Sequence, residues 1–356
     1  MMKKLLVAVK ARTILADDYG WKDHASKFNH RLKGSSKRRL DTMDHLKEKH
    51  SAHCTAPPLQ NPAAADAGIA LPAPPPEVRE MNRILSSVPV DLKQLGELAE
   101  GHPQLTHRVL WLCHSSLFNL PEPVSRLEHG VILAGADNIR TLLLADAIMD
   151  YSARLLTPSI SQRFWWHSLL VAQLSERLAL WTGDQQVEQA YLAGLLHDLG
   201  TLPMLAWAER QGCRSQAPLQ WIADAPETQR QRFGTDHCEL GKQIGVEWNF
   251  PLPLVEVFAA HHEPGDGSAA FPIAHLVAVA EQVCQCCGAG FDSESAPEPG
   301  SMPEPSSMQR LIRQILMDYF PDLGFSDSLH FAQALESDIT QTGQKLKEKV
   351  LAGPAV

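Results

Sequence analysis

Sixteen histidines are distributed through the 356 residues, and five of them, His167, His197, His237, His261 and His262, fall within one long stretch of helical patterning. Asp198 follows His197 directly. An adjacent His-Asp pair near a helix end can offer an imidazole nitrogen and a carboxylate oxygen to the same divalent ion. Histidines from neighbouring helices then complete a borderline site suited to Fe, Mn or Zn. A metal held this way lowers the pKa of bound water and stabilises a phosphoryl transition state. The alternative is that the same histidines are core residues, hydrogen-bonded to one another and to Asp198. Residue types alone leave both readings open. His102, His107, His114 and His129 lie upstream and are expected to face solvent or cap turns.

The elements that must position these groups read as helices. From about residue 77, apolar residues recur at helical spacing and Gly or Pro interrupts the pattern at intervals. Asp91 is placed to cap LKQLGELAE, and Pro103 to begin the helix that follows. Ser125, with Glu128 three residues on, forms a capping-box pattern ahead of RLEHGVILAG. Asp137 opens NIRTLLLADAIMDYSARLL, and Pro158 and Ser159 open a long helix running to Gly183. QQVEQAYLAGLLHDLG, CELGKQIGVEW, PLPLVEVFAAHH and FPIAHLVAVAEQVCQCC continue the series. Val and Ile sit within helical periods and not in alternating runs, so the expected fold class is all-α.

Four of these segments, FWWHSLL, YLAGLLHDLG, TDHCELGKQI and VEVFAAHHEP, occur in an order that resembles the HD superfamily, most closely its HDOD branch of bacterial signalling proteins. The upstream run from HPQLTHRVLWLC to TLLLADAI is similar to the N-terminal helical half of an HDOD domain. The resemblance covers roughly residues 80–288 and implies an HDOD-like domain over 77–290, with two helical halves packed together. It places the metal positions on His167, His197, Asp198, His237 and the His261/His262 pair. Two features depart from the catalytic pattern. The position aligned with a second Asp is Ala278, although Glu281, one turn further on, shares its helix face. His197 and Asp198 are followed by Leu199, Gly200 and Thr201 where HD-GYP relatives carry Ile-Gly-Lys, and no Gly-Tyr-Pro follows HHEP. The resemblance therefore implies a degenerate metal site in a non-catalytic signal-transduction module that works through a protein partner. The alternative is a metal-dependent phosphohydrolase or phosphodiesterase acting on nucleotides or cyclic dinucleotides. A nucleotide ligand and a homodimer are compatible with either reading.

Charge and composition organise the rest. Residues 1–50 hold 13 Lys/Arg against 6 Asp/Glu, whereas the remaining 306 hold 19 against 35. The basic excess, including KGSSKRR at 33–39, belongs to a head that an Ala/Pro-rich linker at 56–76 separates from the helices. Residues 1–76 thus read as a largely disordered head and linker. Contact with nucleic acid is expected only through this head. Residues 291–307 read as an acidic Pro/Ser-rich loop and 308–356 as a C-terminal helical extension. No run of about 18 apolar residues exists to span a membrane. Seven scattered cysteines argue for a reducing, cytoplasmic setting and against a disulfide framework. Cys284 and Cys287 of the CQCC run share a helix face and are expected to pack as small apolar groups. Of Trp165 and Trp166, one is expected to pack inward and the other to lie against a neighbouring helix.

Overall fold

The helical periods that begin at Val78 fold as an array of helices with no strand among the described residues. The computed structural model describes residues 73–286 and Ile69, apart from 115–117, 119, 121, 183–185, 211–221, 223–224 and 265–270. Most of the basic head and linker, KGSSKRR, Cys287, the acidic loop at 291–307 and the extension at 308–356 lie outside them. Five helices form the first half: α1 (Pro76–Leu85), α2 (Leu92–Gly101), α3 (Pro103–Cys113), α4 (Leu127–Ala134) and α5 (Ala136–Leu155). The second half comprises α6 (Pro158–Thr182), α7 (Val187–Leu196), α8 (Thr201–Arg210), α9 (Pro226–Phe233), α10 (His237–Glu247), α11 (Leu252–Ala260) and α12 (Phe271–Cys286). None of the described helices is long and apolar enough to cross a membrane.

Local chemistry explains most of the boundaries. Asp91 accepts a hydrogen bond from the backbone N–H of Gln94 and caps α2 as its position predicts. Pro103 and Pro76 occupy first turns, where a missing N–H costs nothing. Ser125 does not act as a cap. α4 starts one residue later behind Arg126, whose guanidinium holds Glu128 at 2.6 Å. Gly135, at φ 86°, lets α4 end and α5 begin without an intervening loop. The linker also joins the body earlier than its composition predicts. Ile69 is buried, and the Ala73 carbonyl accepts a hydrogen bond from Tyr151 at 2.8 Å.

α6 is the longest of the described helices, and α7 and α12 pack along it. Gly194 makes the α6–α7 approach possible, since a Cβ there would lie 2.8 Å from Ala172 Cα and 2.9 Å from the Val171 carbonyl. Trp165 is buried on α6 and donates its indole N–H to Ser152 of α5 at 2.8 Å, while Trp166 is half-buried. Cys284 packs in the apolar core.

A polar junction ties the two halves. The Asn82 amide on α1 donates to the carbonyls of Trp248 (2.8 Å) and Asn249 (3.2 Å), just past the end of α10. Arg140 on α5 donates to Asn82 Oδ1 at 2.6 Å and to the Asn249 carbonyl. Asn249 reaches this position with φ 52°, a left-handed conformation that Asn tolerates. α10 therefore runs from this junction back to His237.

Candidate metal centre

Five helices deliver the site. His167 projects from α6, His197 closes α7, and Asp198 lies in the turn before α8. His237 is the first residue of α10, where Asp236 caps the helix by accepting from the Glu239 N–H at 2.8 Å. His261 closes α11, His262 follows it, and Glu281 lies on α12. All six residues expected from the sequence are brought together. Of the upstream histidines, His114 accepts the Val124 N–H at 2.8 Å and His129 faces Glu122 at 3.1 Å, both remote from the centre in their roles.

Backbone and amide carbonyls orient three of the rings. His197 Nδ1 lies 2.8 Å from the Gly194 carbonyl, and His261 Nδ1 lies 3.1 Å from the Val257 carbonyl. A carbonyl only accepts, so each Nδ1 carries a proton and Nε2 is the nitrogen that each ring turns inward. Gln229 does the same for His237. Its Oε1 accepts both the ring Nδ1–H and the backbone N–H of His237, each at 2.8 Å. Its amide nitrogen is held by the Ile222 carbonyl at 2.6 Å, which settles which way the amide points.

Asp198 sits between two groups of nitrogens. Its Oδ2 is 3.6 Å from His197 Nε2 and 3.9 Å from His167 Nε2, and its Oδ1 is 3.5 Å from His237 Nε2 and 3.6 Å from His261 Nε2. Glu281 Oε2 completes the first group, 2.9 Å from His167 Nε2 and 3.2 Å from His197 Nε2. His262 completes the second, its Nε2 lying 2.9 Å from that of His237. Despite these short separations, the buried Nε2 atoms of His197 and His261 and Oε2 of Glu281 make no aligned hydrogen bond. Leaving such buried acceptors unsatisfied is costly. Lone pairs converging on common points, with no aligned protons between them, fit divalent cations, and so this residue set fits the metal that the HD-type pattern implies.

Ala278 and Glu281 take different places on α12. Ala278 is buried in the apolar core and supplies no ligand, but the second carboxylate is present. Glu281 lies three residues further along α12, on the same face, and its longer side chain reaches the nitrogens of His167 and His197. α12 thus sets a carboxylate beside His167 and His197 through Glu281 and not through the aligned position, Ala278. Gln229, by contrast, was not legible. It lies eight residues before His237 on a different helix, and no spacing rule links the two.

The electrostatics are those of anions among imidazoles. Burial alone would raise the Asp198 carboxyl, but His197, His261 and His237 outweigh it and hold it well below the usual carboxylate range. Glu281 is likewise lowered, burial being overcome by His167 and His197. For His197, burial is overcome by Asp198 and then Glu281, and the ring is raised. Burial pushes His237 down to about 4, and lowers His262 with the help of His261 and His237.

These shifts predict the pH dependence of the metal-free protein. A histidine lowered by folding contributes stability that is full above its ordinary value and is lost as the pH falls towards its folded value. For His237 that window runs from 6.5 down to about 4, and the shift is worth about 3 kcal/mol. His262 acts in the same direction. His197 is raised, so its contribution is full below 6.5 and is lost as the pH rises through its folded value. Asp198 and Glu281 lose theirs only below the ordinary carboxylate range. Stability in chelator should therefore peak near neutrality and fall between pH 6.5 and about 4. Denaturant midpoints measured across that range check this, and a flat profile would contradict it.

A family model described as the HDOD domain matches residues 71–264, more than half of the chain and every site residue except Glu281. The chain is similar to an uncharacterized protein of Treponema pallidum (strain Nichols), 23% identical over 197 residues. That match covers 54% of this chain but only 37% of the relative, so the chain spans little more than a third of that protein. Among solved structures, it is similar to an HDOD domain protein of unknown function from Geobacter sulfurreducens, with 23% identity, 78% of this chain and 93% of that one covered, and a TM-score of 0.55. It is also similar to a protein from Shewanella amazonensis SB2B that carries the name of a phosphohydrolase, with 20% identity, coverage of 81% and 99%, and a TM-score of 0.53. At these identities the two structural likenesses are of fold alone.

Proposed function

The chain belongs to the HDOD domain family, and from that premise we propose that it is a non-catalytic regulatory module that works by contact with a protein partner and is organised around a metal centre. His167, His197, Asp198 and Glu281 would hold one divalent transition metal ion. Asp198, His237, His261 and His262 would hold a second. Bound there, the ions would supply positive charge to offset two buried carboxylates and would tie α6, α7, α10, α11 and α12 to one point.

The observation that carries this reading is the number and burial of the side chains around each position. Four groups of this chain face each one; His167, His197, His237, His261 and Glu281 are buried, the Asp198 side chain is 14% exposed, and His262 is half-buried. A structural site with four protein ligands is closed, whereas a catalytic zinc site keeps a place open for water or substrate. α10 supports the regulatory part of the proposal, because it carries His237 at one end and meets the Asn82–Arg140 junction at the other. A change at the centre would then bear on how the two halves sit together.

A second reading, a metal-dependent phosphohydrolase acting on nucleotides or cyclic dinucleotides, is favoured by one feature. Asp198 divides its two oxygens between the two groups while Glu281 adds the second carboxylate. Such a shared carboxylate suits a two-metal site. The two readings separate when metal-loaded protein is assayed against bis(p-nitrophenyl) phosphate, nucleotides and cyclic dinucleotides. The expected result is no turnover above that of Asp198→Ala. Turnover that Asp198→Ala abolishes would overturn the non-catalytic reading.

A further inference from the structure

Cys238 is the one cysteine among the described residues that is buried but lies outside the continuous apolar core. Cys113 and Cys284 both belong to that core. Cys238 follows His237 in the first turn of α10, and its Sγ lies within 4.8 Å of ring nitrogens of His237, His261 and His262, all of which lie within the same distance of one another. One of these, His261, is fully buried, and its Nε2 has no hydrogen-bond partner. Asp236 pins this turn of the helix, so the thiol is held beside the rings by backbone and not by a long side chain.

We propose that Cys238 is a metal ligand, and that it makes the second position a thiolate–histidine site for a soft or borderline cation such as Zn(II) or Co(II), distinct from the nitrogen–carboxylate position of His167, His197, Asp198 and Glu281. The proposal rests on the metal reading above and adds to it a difference between the two positions. A tetrahedral ion with Zn–S near 2.3 Å and Zn–N near 2.0–2.1 Å places its ligand atoms about 3.3–3.6 Å apart. Cys238 takes the place beside Asp198 Oδ1, His237 and His261 that His262 would otherwise fill. On binding, the S–H bond breaks, the proton leaves to solvent, and the sulfur lone pair forms the metal bond. Burial, with Asp236 and Asp198 adding to it, holds the free Cys238 thiol well above its ordinary value, so the cation itself supplies the charge that stabilises the thiolate. The first position has only nitrogen and oxygen donors and is the harder of the two, suiting Mn or Fe.

The test is a cobalt titration of the full-length protein after removal of metal with chelator. Two equivalents of Co(II) should bind, and one should develop a near-ultraviolet sulfur-to-cobalt charge-transfer band. Zn(II) should displace that equivalent first. The band should vanish in Cys238→Ser and in Cys238→Ala, with far-ultraviolet circular dichroism unchanged, and should persist when Cys284, Cys286 and Cys287 are all replaced by Ser. Affinity for that Zn(II) equivalent should fall at least about tenfold in Cys238→Ser, since even outer partners of metal ligands are worth about 10–100-fold. Two bound equivalents without the band, or a band that survives Cys238→Ser, overturn the role of Cys238 and leave the metal centre standing. Failure to bind any cobalt overturns the metal centre, and the role of Cys238 with it.

Discussion

Asp198→Asn protein is expected to retain metal at neither position. The carboxylate oxygens point in opposite senses, Oδ2 towards His197 and His167 and Oδ1 towards His237 and His261, at 3.5–3.9 Å. A single substitution therefore removes one ligand from each group and a full negative charge from between them. The amide keeps one oxygen but carries no charge, and its nitrogen presents protons to lone pairs that need a cation. Loss of an outer partner costs about 10–100-fold in metal affinity, and loss of a shared ligand should cost at least about 100-fold at each position. Elemental analysis of purified protein, followed by calorimetric titration with Zn(II) and Mn(II), measures both. One full equivalent retained would show that Asp198 serves a single position. Glu281→Gln provides the contrast, because Oε2 faces only the nitrogens of His167 and His197, and that variant should lose one equivalent while keeping the other.

The second large effect is expected at Gly200, and its cause is steric. A Cβ on this residue would lie 1.9 Å from the His237 carbonyl oxygen and 2.5 Å from the Gly241 nitrogen, both of them backbone atoms. A flexible side chain moves aside cheaply, but here the turn after Asp198 or the first turn of α10 must give. Overpacking a tight interior typically costs about 1–3 kcal/mol, and a clash of backbone with backbone lies at or beyond the top of that range. Gly200→Ala should thus lose at least about 3 kcal/mol, seen as a midpoint lower by roughly 10 °C in thermal denaturation. Gly101→Ala is the control. Nothing lies within 4 Å of a Cβ at that position, and the change should be nearly neutral. A Gly200→Ala midpoint equal to that of the control would mean that the turn before α8 and the first turns of α10 do not approach as closely as described. Because Gly200 lies two residues beyond Asp198 and abuts His237, the strain should also weaken metal binding.

Both predictions concern residues visible in the sequence, and the extent of that visibility is uneven in an instructive way. The histidines and Asp198 were legible because their chemistry is discrete and because helical periodicity showed which stretches carry them. Asp91 was legible as a cap, since its partner lies three residues away. Ser125 and Glu128 presented an equally good local pattern, and it did not form. The reason lies on another helix. Glu128 rests against α2, where a Cβ on Gly96 would come within 2.4 Å of its Oε1, and Arg126 holds it there. The carboxylate that would have turned back to close a capping box is engaged across a helix interface.

The same division runs through the site. Helix, order of motifs and ligand types follow from sequence, because a period of 3.6 residues and the identity of a side chain are local properties. Depth is not local. Position along α12 left Ala278 and Glu281 on one face, and only the packing of α12 along α6 and α7 decided that the alanine fills the core while the longer glutamate reaches two histidines. Gln229 became the partner of His237 because α9 and α10 meet at a sharp turn, through Gly234 at φ 71°. Cys238 was one of seven scattered cysteines until α11 brought His261 and His262 alongside it. What the sequence determined on its own was which groups are available and which helix face each occupies. Which groups share a point in space was decided by backbone approaches at Gly194 and Gly200, where close packing leaves room for no side chain at all.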